Sequence, residues 1–442
     1  MNRTPTHSTM RRFTWFWMVF GAAIQLASTQ AASLLLKQGI VHTAAGPVLT
    51  NASVFSRDGR IVAVGSDIQE AADATIELNG AHVFPGLIAT LSILGLVEIE
   101  AVRATVDSVE VGSYTPDVFA WLSVNPDSEL IPVARANGYT HAQVTPHGGV
   151  LSGHSGVVAL NGWTIEDMVV LRSSGMHLFW PSFGIDTTPR DRAANKDQWK
   201  SVEDQIKERD RKIREITGFF DDGEAYARAK GAADATSFRT VPAWEGLLPV
   251  LRGEVPLFLH ADEYRQIQSA IDWVAARKYR AVLAGGRDAW RLTSLLSTNS
   301  IPVAFEHVFT LPVRDIDPYD VHFSAPGILV KAGVRVAVSG SQERFDAFNI
   351  RNLPYAAAQA MAFGLSREDA LKGLTLEPAR LLGLGDRLGS IEVGKEASMF
   401  IADGDILDIR TQVKRMWIAG KEVPLASKHT RLYERYRARP KP

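Results

Sequence analysis

The feature that most constrains the fold is a long alternation between residues 83 and 385, where apolar runs of strand length are separated by stretches of helical periodicity. Short apolar runs bounded by turn residues read as buried strands. Their interleaving with helices is the pattern of repeated βα units around a parallel sheet. The clearest runs are THAQVTP (140–146), MHLFWPS (176–182), VPLFLHA (255–261), AVLAGG (281–286), PVAFEHV (302–308) and VRVAVSG (334–340). HVFPGLIATLSI near residue 88 and GVVAL at 156–160 bring the count to about eight, which a (β/α)8 barrel closes most economically. Trp199, Val202, Ile206, Ile213, Ile216 and Phe220 share one helical face in the highly charged stretch 196–220, so that charge is the solvated side of an outer helix.

The flanks have a different texture. Residues 32–82 hold short β-branched runs with Asp58-Gly59 between two of them, the signal of a tight hairpin. A matching β pattern returns in SIEVGKEASMFIADGD and QVKRMWIAGKEV, with Gly394 and Gly420 at its turns. The expected organisation is α/β: a TIM-type (β/α)8 barrel over 83–385, plus a small β-sandwich domain built from 32–82 and 386–427. Residues 428–442 form a basic tail that either touches anionic lipid or is a solvated end.

At the N-terminus, Arg11 and Arg12 precede the apolar run FTWFWMVFGAAIQLA, too short for a bilayer span of about 20 residues. Residues 1–31 are expected to be a signal peptide, cleaved after Ala31, with Met10 as an alternative start and an uncleaved anchor as the alternative reading. The mature chain is then periplasmic or secreted, with no stable membrane span. With no cysteine there is no disulfide framework, no Cys-based metal site and no thiol nucleophile. Lys plus Arg number 48 against 49 Asp plus Glu, so the chain has no general electrostatic reason to bind nucleic acid, and its expected partner is a small-molecule substrate or ligand.

Three segments of the barrel region carry candidate binding groups. Pro146–Gly156 is rich in glycine and contains His147, Ser152, His154 and Ser155, so it either holds an anionic or amide-bearing group or is a surface turn. Arg287, Asp288 and Trp290 follow a glycine pair. They either bind a carboxylate or amide, or place Asp288 as a cap and Trp290 as a packing residue. Arg351, Asn352 and Tyr355 either line the barrel mouth or brace a turn ending at Pro354. His307 follows Glu306 on one run, and strand alternation would let only one of the pair enter the barrel.

Two stretches carry a family likeness. DGRIVAVG followed by HVFPGLI, and GLSREDALKGLTLEPARLLGLGDRLGSIEVGKEASMFIADGDILD, resemble the amidohydrolase superfamily, especially its imidazolonepropionase-like or dipeptidase-like branch. The resemblance implies hydrolysis of a C–N bond by a metal-activated water. It also implies a D-x-H-x-H motif after Pro85-Gly86-Leu87-Ile88. Here Ala89 stands for the aspartate and Leu91 and Ile93 for the histidines, with Thr90 and Ser92 expected on the opposite face.

His260 keeps a ligand position, Gly285 replaces a second, and Ser339, Gly340 or Ser341 stands where the family has its metal-binding and water-activating aspartate. Glu343 and Asp346 are the remaining candidates for a catalytic carboxylate. A rebuilt site would combine His260 with His307 and with His147 or His154, so the expected cofactor is one divalent metal, zinc, or none. The function expected is a hydrolase acting on a non-peptide or dipeptide-like C–N bond of a small substrate. The alternative is an inactive barrel that binds a small ligand or pairs with an active homologue; a homo-oligomer is the other assembly considered.

Overall fold

A computed structural model of the protein describes residues 32–232, 238–340 and 347–440. The expected signal peptide and the candidates Glu343 and Asp346 lie outside these residues. One sheet draws strands from both ends of the described chain. Its members are β1 (Ser33–Val41), β2 (Leu49–Arg57), β3 (Arg60–Gly65), β4 (Ala74–Glu77) and β5 (His82–Pro85), and, after the barrel strands β6 to β13 given below, β14 (Met399–Ala402), β15 (Val413–Ile418) and β16 (Lys421–Val423).

The junction between the two ends is β5 against β14, paired antiparallel from Met399↔Pro85 to Ala402↔His82. Asp58 and Gly59 turn the β2–β3 hairpin with φ of 51° and 75°, the primed geometry that matches strand twist. Ala419 and Gly420 turn the β15–β16 hairpin in the same way. The two turns meet: a Cβ on Gly420 would lie 2.6 Å from the Cα of Gly59, so neither position accepts a side chain.

The second sheet holds all eight apolar runs. They are β6 (Leu87–Ser92), β7 (Tyr139–Val144), β8 (Leu151–Ala159), β9 (Val169–Phe179), β10 (Leu257–Ala261), β11 (Ala281–Gly285), β12 (Val303–Phe305) and β13 (Val336–Val338), neighbours in sequence order. The expectation of an all-parallel barrel needs one correction, because β8 runs antiparallel to both β7 and β9. The reason is length. Residues 145–150 are too few for a parallel crossover, which takes about a dozen residues or more, so β7 and β8 close as a hairpin. Gly148 and Gly149, at φ of 91° and 66°, make that turn. Between β13 and β6 the segment Gly373–Leu374 completes the ring, its carbonyls accepting from Val338 N and Ile88 N.

Alternation sorts the barrel's side chains. Leu257, Leu259, Leu283, Val303 and Phe305 join the outer core beneath the helices. Ile88, Val157, Phe258, Val282, Ala304 and Ala337, drawn from six strands, cluster with one another, which places them inside the ring. Leu381, Leu382, Leu384 and Leu388 pack into the same cluster and plug the N-terminal end. These leucines belong to the stretch that carried the family likeness. Burying a leucine side chain contributes about 1.5–3 kcal/mol, so the motif is conspicuous because it seals the barrel floor.

The charged stretch forms the helix Val202–Ala232, with Ile216 and Phe220 buried. Part of the basic tail is a solvated helix, Lys428–Arg437, tied back by Arg431 to Glu129. Among the described residues no helix is long and apolar enough to cross a membrane.

Candidate functional site

A cavity of about 780 Å³ opens at the C-terminal ends of β9 to β13, where barrels of this kind carry their chemistry. His147, His260, Asp262, Gln266, Glu306, His307, Thr310, Ser339, Asn349 and Asn352 supply its polar wall; Phe179, Trp180, Phe309, Ile350, Leu353 and Tyr355 supply most of its apolar wall. Both Glu306 and His307 line it, against the expectation from alternation, because β12 ends at Phe305 and the two residues sit in the loop beyond.

His260 lies on the inner face of β10, stacked on Phe179 with ring centroids 4.1 Å apart. Its Nε2 is 2.9 Å from Nδ1 of His177, a β9 residue that the sequence reading passed over. One imidazole of this pair donates and the other accepts. Burial, followed by the nearby His147, pushes His260 down to about 3, and burial holds His177 well below the usual imidazole range. Both rings are therefore neutral at pH 7. His177 Nε2 is buried and has no partner among the described residues.

Asp262 and His307 form the second pair. His307 Nε2 donates to Asp262 Oδ1 at 2.6 Å, and the same oxygen accepts from the Arg287 backbone N–H at 3.2 Å. Burial opposes the charge, but the His307 bond and the Arg287 backbone bond leave the Asp262 carboxyl below its ordinary value, so it is ionised. His307 Nδ1 is buried without a partner among the described residues, so a proton there would be an unbonded buried donor. The proton on Nε2 is the one that the Asp262 carboxylate holds.

Gly285 makes this arrangement possible. Its φ is +88°, and a Cβ there would lie 2.6 Å from Asp262 Oδ1. The space a side chain at residue 285 would take is thus filled by the Asp262 carboxylate.

The first strand is also rebuilt. Leu91 adopts φ of +52°, and the β6–β7 register shifts between Ala89 and Ser92. That residue breaks the alternation, so Thr90 turns to meet Ser339 instead of pointing away as expected. Their hydroxyls lie 2.6 Å apart and both residues are buried. Leu91 joins the inner cluster and Ile93 the outer core. Two hydroxyls and an apolar side chain thus stand at the end of β6 and at Ser339, two of the segments that the family resemblance singles out.

The other candidates divide clearly. His147 lines the cavity, edge-on to Phe179. His154 does not: the segment read as a loop is strand β8 from Leu151 onward. Within it His154 is fully buried, its Nε2 on the Gly246 carbonyl at 2.8 Å and its Nδ1 bonded to the Ser173 hydroxyl at 2.7 Å. Ser152 is buried in the same strand and donates to the Gly148 carbonyl, bracing the turn.

Arg287 lines a neighbouring cleft of about 430 Å³ with Arg265, Arg291 and Arg314, not the main cavity. Asp288 is buried, accepting from Tyr264 N and pairing with Arg314. Arg351 points toward the C-terminal helix, 3.5 Å from His429 Nδ1, while Asn352 and Tyr355 line the cavity. Asp262, the main omission from the sequence reading, stood two residues after His260, the i, i+2 spacing that sends two side chains to one face.

The donor set does not fit the family's metal. Among the described residues no group of three or more His, Asp or Glu side chains is placed to hold an ion. His260 and His307 each spend Nε2 on a protein partner.

The amidohydrolase family model matches residues 319–423. An imidazolonepropionase from Syntrophobacter fumaroxidans is 36% identical over 77 residues, 17% of this chain and 18% of that protein. An N-acetylglucosamine-6-phosphate deacetylase from Caenorhabditis elegans is 33% identical over 97 residues, 21% of this chain and 22% of its own length. The matches to these curated relatives thus span less than a quarter of either protein. A solved amidohydrolase from Thermotoga maritima superposes with a TM-score of 0.73 at 25% identity, covering 88% of this chain and 99% of that one. The C-terminal segment thus matches the amidohydrolase family model, and the fold over most of the chain is similar to that of the solved Thermotoga maritima amidohydrolase.

Proposed function

We propose that the protein is a hydrolase acting on a non-peptide or dipeptide-like C–N bond of a small substrate, with a metal site that has lost most of its ligands. The cavity at the strand ends carries this reading, because it gathers two carboxylates and three imidazoles around a volume suited to a small molecule. Such groups take a proton from an attacking water and return it to the leaving nitrogen, the two transfers amide hydrolysis requires. The ligand positions emptied at Leu91, Gly285 and Ser339 favour a second reading, a barrel that keeps its pocket as a binder or as the partner of an active homologue.

A screen of N-acyl amino acids, dipeptides and cyclic amides against the purified chain, with and without added zinc, separates the two. Turnover supports the hydrolase; no product from any member of the panel rejects it.

A further inference from the structure

Two acidic side chains line the cavity, Asp262 and Glu306, and among its described lining residues there is no Lys or Arg. Arg287, which acts electrostatically on Asp262, lines the adjoining cleft with Arg265, Arg291 and Arg314. The Asp262 carboxylate accepts both of its hydrogen bonds at Oδ1, and Oδ2 has no hydrogen-bond partner among the described residues. Its side chain remains 39% accessible. The aromatic residues Phe179, Trp180, Phe309 and Tyr355 line the same cavity.

An ionised carboxylate oxygen in an aromatic-lined pocket is the environment that recognises an organic cation: the carboxylate supplies charge-assisted hydrogen bonding, and the ring faces supply quadrupolar attraction. The same arrangement disfavours a substrate carboxylate, which would lose its hydration and meet the like charge of Asp262.

We propose that the cavity selects ligands bearing an ammonium or amidinium group on an apolar body, with Asp262 Oδ2 as the counter-charge held in place by His307 and by the room at Gly285. This deepens the functional reading and rests on the mouth cavity being the substrate site. It assigns Asp262 to recognition and narrows the substrate class away from acidic N-acyl amino acids.

Three molecules of one shape and different charge test it: benzamidinium, benzamide and benzoate, titrated calorimetrically into the full-length protein at neutral pH. Benzamidinium is expected to bind about tenfold or more tightly than benzamide, the scale of one charge-assisted hydrogen bond, with benzoate weakest. Asp262→Asn is expected to bring benzamidinium down to the level of benzamide while leaving benzamide unchanged, a selective loss that a merely misfolded cavity would not give.

Benzoate binding as well as benzamidinium, an unaltered preference in Asp262→Asn, or no binding of any of the three would each overturn the proposal. The wild-type comparison needs no variant to fold. A negative hydrolysis screen with the charge preference intact would reject the hydrolase reading alone.

Discussion

Replacing Gly285 by alanine tests the rebuilt site at its tightest point. The backbone there has φ of +88°, and the new Cβ would sit 2.6 Å from Asp262 Oδ1, closer than any ordinary contact. Two costs follow. Holding an L-residue in the left-handed region costs about 1–2 kcal/mol. Displacing the carboxylate breaks its bonds to His307 and Arg287 N; a hydrogen bond to a charged group contributes about 1.5–3 kcal/mol when buried, and about 1 here because the Asp262 side chain is 39% exposed.

The expected total is about 2–3 kcal/mol. A double-mutant cycle with Asp262→Ala, measured by denaturant unfolding, divides it. Once the carboxylate is gone, Gly285→Ala should cost only the backbone part, leaving a coupling of about 1 kcal/mol. Additive costs, or a Gly285→Ala protein as stable as wild type, would show that Asp262 does not occupy the space at residue 285.

Other perturbations have equally definite outcomes. Thr90→Val or Ser339→Ala alone should destabilise by about 1–2 kcal/mol, because each breaks the buried hydroxyl pair and costs the remaining hydroxyl its short partner, whereas the double variant should recover most of that loss in the same unfolding assay. Phe258→Ala should cost about 3–5 kcal/mol by opening a cavity on the inner face of β10; a cost below about 1 would contradict the inner cluster. Stability should also fall in mild acid. His42 and His141 are pushed by burial from 6.5 to about 4, so between those pH values the unfolded chain binds protons that the folded chain excludes. His141→Gln should flatten that slope by about one proton, worth roughly 3 kcal/mol by pH 4; an unchanged slope would show that His141 titrates normally.

Much of the architecture was legible because it depends on local pattern. Apolar runs such as VPLFLHA and AVLAGG mark strands regardless of context, and the Asp58-Gly59 turn follows from dihedral preferences that those residues alone satisfy cheaply. The reversal of β8 was also encoded, in the shortness of 145–150, but its glycines and histidines drew attention as a ligand loop. LSGHSGVVA lacks the apolar alternation of a strand because its polar groups are satisfied by partners distant in sequence, such as the Gly246 carbonyl on His154.

The site resisted reading for the same reason. The vacancies at Leu91, Gly285 and Ser339 were visible, whereas what replaced them was not. Asp262 and His307 are 45 residues apart, and nothing in either segment announces the pairing. The bulge at Leu91 that turns Thr90 inward is a non-glycine residue in a glycine-like conformation, which composition does not signal.

The most direct test of the central claim, that this barrel mouth keeps its cavity while its metal-holding positions have been rebuilt, is the metal content of the purified full-length chain by plasma mass spectrometry after dialysis against zinc. The expected result is substoichiometric metal, unchanged by His260→Ala. Stoichiometric zinc that disappears with His260→Ala would contradict it.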